Sequence, residues 1–174
     1  MTKKIKLLKS QYLGLSLKEE KSKKKFSFLL SGKLGESILS YGSISYPKTK
    51  TGVFGSKRAA KSFFSFLKQE CFGVSYGFYV NMYLQGVGYR VWSYKKKLLF
   101  KIGYNHLIKF ELPSTMQVYS KKYRFLLFGI HKQEVNNIAK RLFWLKVPDS
   151  YKGKGMRYAN LFLKLKETKD AKKK

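Results

Sequence analysis

Glycines and cations alternate near the C-terminal end of the chain, in residues 148–158 (PDSYKGKGMRY). Glycine has no side chain to hold its backbone away from a ligand, so a neighbouring lysine and the backbone N–H groups can bind the same phosphate. A tyrosine at either end of such a loop can stack on a nucleobase. The candidate binding residues are Tyr151, Lys152, Gly153, Lys154, Gly155 and Arg157.

The charge of the whole chain agrees with this chemistry. Its 38 lysines and arginines against 9 aspartates and glutamates give a formal charge of +29 over 174 residues. Residues 1–80 contribute +12 and residues 81–174 contribute +17, so the charge is not confined to one arm. A basic surface that serves solubility alone needs far less charge. We therefore expect a nucleic acid as the partner. Only 5 of the 38 cations are arginine, which favours attraction to the phosphate backbone over recognition of bases.

The residues that catalysis or metal binding needs are scarce. His106 and His131 are the only histidines and Cys71 is the only cysteine, so we expect no metal site, no intrachain disulfide, no cofactor and no catalytic residue. Cys71 follows an amphipathic segment, which favours a buried apolar role. Glu134 lies three residues after His131 at a predicted helix start, where an acid also complements the helix dipole. Residues 153–155 lack the spacer and the hydroxyl residue of a P-loop.

One uncharged segment has the length of a membrane span. Residues 71–89 carry no charge over 19 residues. Their four glycines and their period-two alternation favour a β-strand instead. The N-terminus has no apolar run long enough for a secretory signal. We therefore expect no membrane partner.

Periodicity predicts two helices and a series of short strands. Ser56 is the expected N-cap of a helix that ends near Cys71. The second helix is expected over residues 132–146, before Pro148, and residues 47–55 predict a loop. The apolar stripe of the first helix consists of Ala59, Ala60, Phe63, Phe64, Leu67 and Cys71. The predicted strands cover residues 26–31, 37–46, 73–85, 87–94, 98–103, 107–112, 116–120, 123–128 and 158–165. Tyr158 either stacks on a base or packs on the core at the start of the last strand.

These elements predict an α+β fold of two similar small domains, each an antiparallel sheet packed against a helix. The expected organisation is a basic N-terminal arm with little fixed structure (1–25), a first α+β domain (26–80), a second α+β domain (81–166) and a lysine-rich tail (167–174).

Several landmarks together resemble one family. In order, they are Gly86-Val87-Gly88-Tyr89-Arg90, Gly103-Tyr104-Asn105-His106, Gly129-Ile130-His131-Lys132-Gln133, the 148–158 segment and a terminal lysine tail. This order is similar to the bacterial and organellar form of large-subunit ribosomal protein six. The likeness covers residues 73–174 well. It extends weakly into the first half through residues 32–36 and the helix after Ser56.

The resemblance implies a non-enzymatic protein that binds large-subunit ribosomal RNA, mainly through its second domain, near the stalk base and the sarcin–ricin loop. It implies RNA contact at residues 152–155 and Arg157, with Lys132, Gln133 and His106 as further candidates. Its implied partners are that RNA and neighbouring large-subunit proteins, without a small-molecule substrate. The chain departs from the family pattern at residues 105–107, at His131 and at residues 160–161, where the family has Ser-His-Pro, Asp and an acidic pair.

The predicted function is thus a structural constituent of the large ribosomal subunit. The alternative is a free RNA chaperone or RNA-processing factor with the same surface. A catalytic nucleic-acid enzyme built on Asp149 or Glu134 lacks the acid–base or metal cluster that such chemistry needs. The low arginine share and the divergent first half favour the mitochondrial matrix and its ribosome, with a plastid or the bacterial cytoplasm as alternatives.

Overall fold

The computed structural model describes residues 16–22, 25–41 and 57–167. The chain divides into two compact units. The first contains the described residues up to Phe78 together with Ile130–Lys132, and the second contains Tyr79–Gly129 and the described residues from Gln133 onward. The domain limits given above stay predictions.

The first unit is built from one sheet and one helix. Its strands are β1 (Ser16–Ser22), β2 (Lys25–Gly32) and β3 (Gly35–Tyr41), antiparallel in the order β1-β2-β3, and its helix is α1 (Lys57–Tyr76). Within the predicted stripe of α1, Phe63, Leu67 and Cys71 are buried in one cluster with Leu30 of β2. The buried side chains are Leu30, Phe63, Leu67, Cys71 and Val74.

Helix α1 runs one turn further than predicted. The strand expected from Gly73 begins only at Phe78, and residues 73–76 are helical. Val74 explains the difference, because it lies three residues after Cys71 and extends the same buried stripe. Gly77 ends the helix with a left-handed φ of 78°, and its N–H donates to the Gly73 carbonyl at 2.9 Å.

Strand β1 corrects the expectation for the N-terminal arm. Residues 1–25 are predicted to have little fixed structure, and this is wrong for residues 16–22, which pair with β2 from Ser16↔Ser31 to Ser22↔Lys25. The sequence of β1 (SLKEEKS) has no apolar alternation. Pairing through the backbone does not need it.

The second unit holds two sheets and one helix. A four-stranded sheet has the order β10-β4-β9-β8, and a three-stranded sheet has the order β5-β6-β7. The strands are β4 (Phe78–Gln85), β5 (Arg90–Tyr94), β6 (Lys97–Lys101), β7 (Ile108–Glu111), β8 (Met116–Lys121), β9 (Arg124–Gly129) and β10 (Gly155–Tyr158), and the helix is α2 (Lys132–Leu145). The buried core side chains include Met82, Leu98, Phe100, Leu127, Leu142 and Met156.

Most predicted elements of this unit are confirmed. Strands β5 and β6 form the expected antiparallel hairpin across the turn at residues 95–96. Strands β7, β8 and β9 lie within two residues of their predicted limits, and α2 ends one residue early. The fold class is α+β, with helices packed on antiparallel sheets, as predicted.

The last strand lies earlier than predicted. Strand β10 pairs antiparallel with β4, from Gly155↔Gln85 to Tyr158↔Met82, whereas residues 161–167 are neither helix nor strand. An alternating pattern forms a strand only where a neighbouring strand offers hydrogen bonds. The N–H of Leu161 donates to the Tyr158 carbonyl at 3.1 Å, so the chain turns after β10 and the leucines at 161, 163 and 165 do not continue the pairing with β4.

Some expectations fall outside the described residues. They are the Ser56 N-cap, the loop over residues 47–55, the end of the predicted strand beyond Tyr41, the arm before Ser16 and the tail after Glu167. Neither described helix is long and apolar enough to cross a membrane.

Candidate nucleic-acid interface

A closed turn follows α2 and precedes β10. The N–H of Asp149 donates to the Lys154 carbonyl at 3.0 Å, and the N–H of Gly153 donates to the Asp149 carbonyl at 2.9 Å. The N–H of Lys166 donates to the Ser150 carbonyl at 2.9 Å, which ties residues beyond β10 to the same turn. We call residues 149–154 the basic loop.

The Asp149 side chain organises the basic loop from within. Its carboxylate accepts the N–H of Tyr151 at 3.3 Å and the N–H of Lys152 at 3.2 Å. These backbone hydrogen bonds, with that of Lys152 the larger, hold the pKa of Asp149 below its ordinary value. The carboxylate is therefore engaged in holding the loop backbone. The sequence signal is the aspartate placed two and three residues before the bonded N–H groups, which is typical of Asx turns.

The two glycines shape the loop by close packing. Gly153 has a left-handed φ of 65° and is buried. A Cβ on Gly155, which is also buried, would lie 2.5 Å from the Pro148 Cα and 2.7 Å from its nitrogen. Both glycines thus have a structural role. RNA contact by their backbones stays a prediction.

The cations of the loop face solvent. Lys152 and Lys154 are exposed on either side of Gly153, and neither makes an ion pair with another described residue. Tyr151 is 53% exposed, and Arg157 is half-buried on β10 opposite Tyr83. The fold therefore holds two free ammonium groups and one aromatic ring on a short, hydrogen-bonded turn.

Tyr158 packs on the core instead of facing solvent. Its ring stacks on Phe143 of α2, with 5.5 Å between centroids and 21° between planes. Burial raises its pKa. Of the two interpretations open from the sequence, core packing is the one that the structure supports.

His106 lies on a loop that reaches the end of α2. Its exposed ring stacks on Tyr104 at 6.2 Å, and the Tyr104 hydroxyl donates to the Leu145 carbonyl at 3.2 Å. The Lys146 ammonium lies 4.8 Å from the centre of the Tyr104 ring, and the Lys146 carbonyl accepts the N–H of Met156 at 2.8 Å. Side-chain stacking and backbone hydrogen bonds therefore connect His106 to the start of β10. The sequence did not suggest that Tyr104 and Lys146 position this loop.

The remaining candidates lie elsewhere. Lys132 belongs to the first unit, where its ammonium lies 6.0 Å from the centre of the Phe78 ring. Gln133 is exposed on the first turn of α2 and takes no part in the hydrogen bonds of the basic loop. The RNA contacts of Lys132 and Gln133 stay predictions.

His131 pairs with a residue that the sequence did not suggest. Its Nδ1 lies 3.1 Å from the Glu70 carboxylate of the same unit, which also accepts the Ser37 hydroxyl at 2.9 Å. Glu134 instead accepts the Thr115 hydroxyl at 2.9 Å. No group of three or more histidine, cysteine, aspartate or glutamate residues in the described ranges could hold a metal ion.

Comparison with known proteins identifies the family. The chain is 30% identical over 148 residues to large ribosomal subunit protein uL6 of Levilactobacillus brevis, covering 84% of this chain and 80% of that protein. It is 44% identical over 103 residues to uL6 of Thermodesulfovibrio yellowstonii, covering 58% and 57%. Large ribosomal subunit protein uL6m of Reclinomonas americana is 42% identical over 98 residues, covering 56% and 53%. No protein-family model matches the chain.

The fold and the loop define a small, strongly basic α+β protein of two compact units. The chain belongs to the uL6 family of large ribosomal subunit proteins, as its resemblance predicts. This is a family of ribosomal proteins and not of enzymes. In the alignments with T. yellowstonii and R. americana the chain spans little more than half of the relative's length.

Proposed function

We propose that the chain is a structural component of the large ribosomal subunit and that its basic loop binds ribosomal RNA. The observation that carries the proposal is the turn closed by Asp149, which leaves Lys152 and Lys154 exposed and unpaired among the described residues. The formal net charge of +29 over the whole chain supports a polyanionic partner.

The mechanism is the positioning of charge. The hydrogen bonds of the loop order its backbone before RNA arrives, so binding loses little backbone entropy. The two ammonium groups then neutralise phosphates where RNA strands approach each other, and Tyr151 offers a ring to a base. The lysines act as point charges, which suits an RNA whose position is set by its own fold.

The finer assignments rest on family membership. We place the main RNA contact in the second unit, near the stalk base and the sarcin–ricin loop, with neighbouring large-subunit proteins as further partners. Lys132, Gln133 and His106 are secondary RNA contacts in this proposal. We place the chain in the mitochondrial matrix, supported by the similarity to uL6m and by the low arginine share, with a plastid or the bacterial cytoplasm as alternatives.

The test is incorporation into the large subunit. The double variant Lys152→Glu/Lys154→Glu should fold normally and remain at the top of a sucrose gradient, because two reversed charges repel the phosphates that the loop binds. The matched control Lys61→Glu/Lys68→Glu changes the net charge equally on the exposed face of α1 and should sediment with the large subunit.

The same gradient separates the proposal from its alternative. The unaltered chain should sediment with large subunits in every fraction that contains them. A free RNA chaperone or processing factor would sediment apart from mature subunits, and that result would reject the ribosomal assignment. Normal incorporation of Lys152→Glu/Lys154→Glu would reject the basic loop as the RNA site while leaving the ribosomal assignment in place.

A further inference from the structure

The edge strands of the two sheets of the second unit meet. Strand β5 is at one edge of the three-stranded sheet, and β8 is at one edge of the four-stranded sheet. The N–H of Val91 donates to the Lys122 carbonyl at 2.7 Å. The Ser120 hydroxyl donates to the Ser93 hydroxyl at 2.9 Å. These bonds join β5 and the β8–β9 turn into one continuous surface.

A pocket of about 470 Å³ lies at this junction, and we call it the Trp92 pocket. Its lining consists of Arg90, Val91, Trp92, Ser93, Ser120 and Lys122. The two cations are exposed and the Trp92 side chain is 41% exposed. The pocket thus combines two positive charges, an aromatic ring and two hydroxyl groups.

No carboxylate lines the pocket. The acids of the second unit within the described ranges are Glu111, Glu134, Asp149 and Glu167. Glu111 pairs with Lys97 at 2.7 Å, and Glu134 and Asp149 accept the hydrogen bonds given above. Neither Arg90 nor Lys122 forms an ion pair within the described ranges, and a bound phosphate would supply the compensating charge.

Two hairpin turns carry lysine at positions that favour glycine, and one of these lysines, Lys122, lines the pocket. Lys95 and Lys122 have left-handed φ angles of 52° and 51°. A residue with a Cβ costs about 1 kcal/mol or more in this conformation, and glycine or asparagine would cost less. Each turn keeps a lysine at its tip in spite of this strain, and this points to a use for the two charges.

Aromatic rings and cations also neighbour two of the lining residues along the chain, since Tyr94 and Lys95 follow Ser93, and Tyr123 and Arg124 follow Lys122. The Lys95 ammonium lies 5.5 Å from the centre of the exposed Tyr94 ring. The Arg124 guanidinium lies 5.0 Å from the Tyr83 ring and 5.7 Å from the Tyr123 ring. Such a combination is typical of surfaces that bind single-stranded nucleic acid, where bases stack on rings and phosphates pair with cations.

We propose that the Trp92 pocket binds an unpaired nucleotide of RNA, with its base on the Trp92 indole and its phosphate between Arg90 and Lys122. The inference requires that the chain binds RNA, as proposed above, but it concerns a site separate from the basic loop. RNA fits better than a protein segment because it supplies both a flat ring and a phosphate from one nucleotide.

The test uses the fluorescence of Trp92. The chain has two tryptophans, so Trp144→Phe leaves Trp92 as the only one. Oligouridine of about ten nucleotides, a length within the range that single-strand-binding surfaces cover, should quench its emission. In this background Arg90→Gln/Lys122→Gln should lower the slope of log affinity against log salt by about 0.7, the value for one phosphate of a single strand. In the unaltered chain, Trp92→Ala should weaken oligouridine binding by about fivefold or more.

The control is Trp92→Phe, which leaves only Trp144, a residue that is 67% exposed on α2. Its emission should change little at saturating oligouridine. Equal quenching in the two single-tryptophan variants, or none in Trp144→Phe, would overturn the proposal. Adding Lys152→Glu/Lys154→Glu to Trp144→Phe should preserve the quenching at saturation. Loss of the quenching in this variant would show that the pocket is not a binding site separate from the basic loop. Persistent quenching would support the pocket even if the basic loop proved not to bind RNA.

Discussion

The carboxylate of Asp149 accepts the backbone N–H of Lys152 at 3.2 Å. An acid thus holds the backbone that presents a cation, while the Lys152 ammonium stays exposed. In a chain with a formal charge of +29, Asp149 lowers the local positive charge. We nevertheless expect it to favour RNA binding by the basic loop, because an ordered backbone positions the neighbouring lysines.

Asp149→Ala should weaken binding to ribosomal RNA even though it makes the chain more positive. The loop would lose two backbone hydrogen bonds, and Lys152 and Lys154 would no longer be held in one arrangement. We expect a loss of about 5–10-fold in affinity, which corresponds to about 1–1.4 kcal/mol in total for the two N–H groups that lose their partner. Filter binding at fixed salt is the measurement.

Glu167→Ala is the matched control, because Glu167 is exposed and its removal changes the net charge equally. It should leave RNA affinity unchanged or slightly raised. If Asp149→Ala also raised the affinity, charge alone would control binding and the ordering role of Asp149 would be wrong.

Gly155→Ala should lower the free energy of unfolding by more than the positive φ of Gly155 alone explains. The new methyl group would lie 2.5 Å from the Pro148 Cα, which is backbone and cannot rotate away. Gly88→Ala is the control, since Gly88 has a φ of 75° but no atom within 4 Å of its Cβ position. The control should cost about 1–2 kcal/mol in free energy of unfolding. Gly155→Ala should cost about 1–3 kcal/mol more, measured by urea denaturation. Equal losses would argue against the close approach at Pro148.

The Cys71 thiol should resist modification in the folded protein. Burial, followed by the charge of Glu70, raises the pKa of Cys71 from 9.0 to about 11. A folded thiol that holds its proton more tightly contributes stability below pH 9, and this contribution is lost as the pH rises from about 9 to about 11. A disulfide reagent at pH 8 should react slowly with the native chain and rapidly in urea. Rapid reaction under native conditions would place Cys71 outside the core of the first unit.

Affinity for isolated ribosomal RNA should fall steeply with salt. A protein that contacts six to ten phosphates loses about 10³–10⁵ in affinity between 50 and 200 mM salt, because binding releases the counterions of the RNA. Lys152→Glu/Lys154→Glu should reduce the slope of log affinity against log salt, whereas Lys61→Glu/Lys68→Glu should leave it close to that of the unaltered chain. A flat response of the unaltered chain would mean that phosphate contacts do not dominate its binding.

The sequence alone determined the features that depend on composition and on neighbours along the chain. The charge excess follows from residue counts, and the buried faces of α1 and α2 follow from apolar spacing, as Leu67 and Leu142 illustrate. The β5–β6 hairpin follows from alternation around a polar turn. The family follows from motifs of a few consecutive residues, of which the 148–158 segment is the most specific.

Only the tertiary structure decided which distant backbones meet. Strand β1 exists because β2 pairs with its backbone, and β10 ends at Tyr158 because the chain turns there, where the N–H of Leu161 donates to the Tyr158 carbonyl. The sequence predicts RNA contact at the glycines at 153 and 155, and only the structure shows that both are also buried, with Gly155 packed against Pro148. The Trp92 pocket likewise requires β5 and β8 to meet at their edges. Periodicity records which face of an element is apolar, and it carries no information about the partner that covers that face or pairs with that edge.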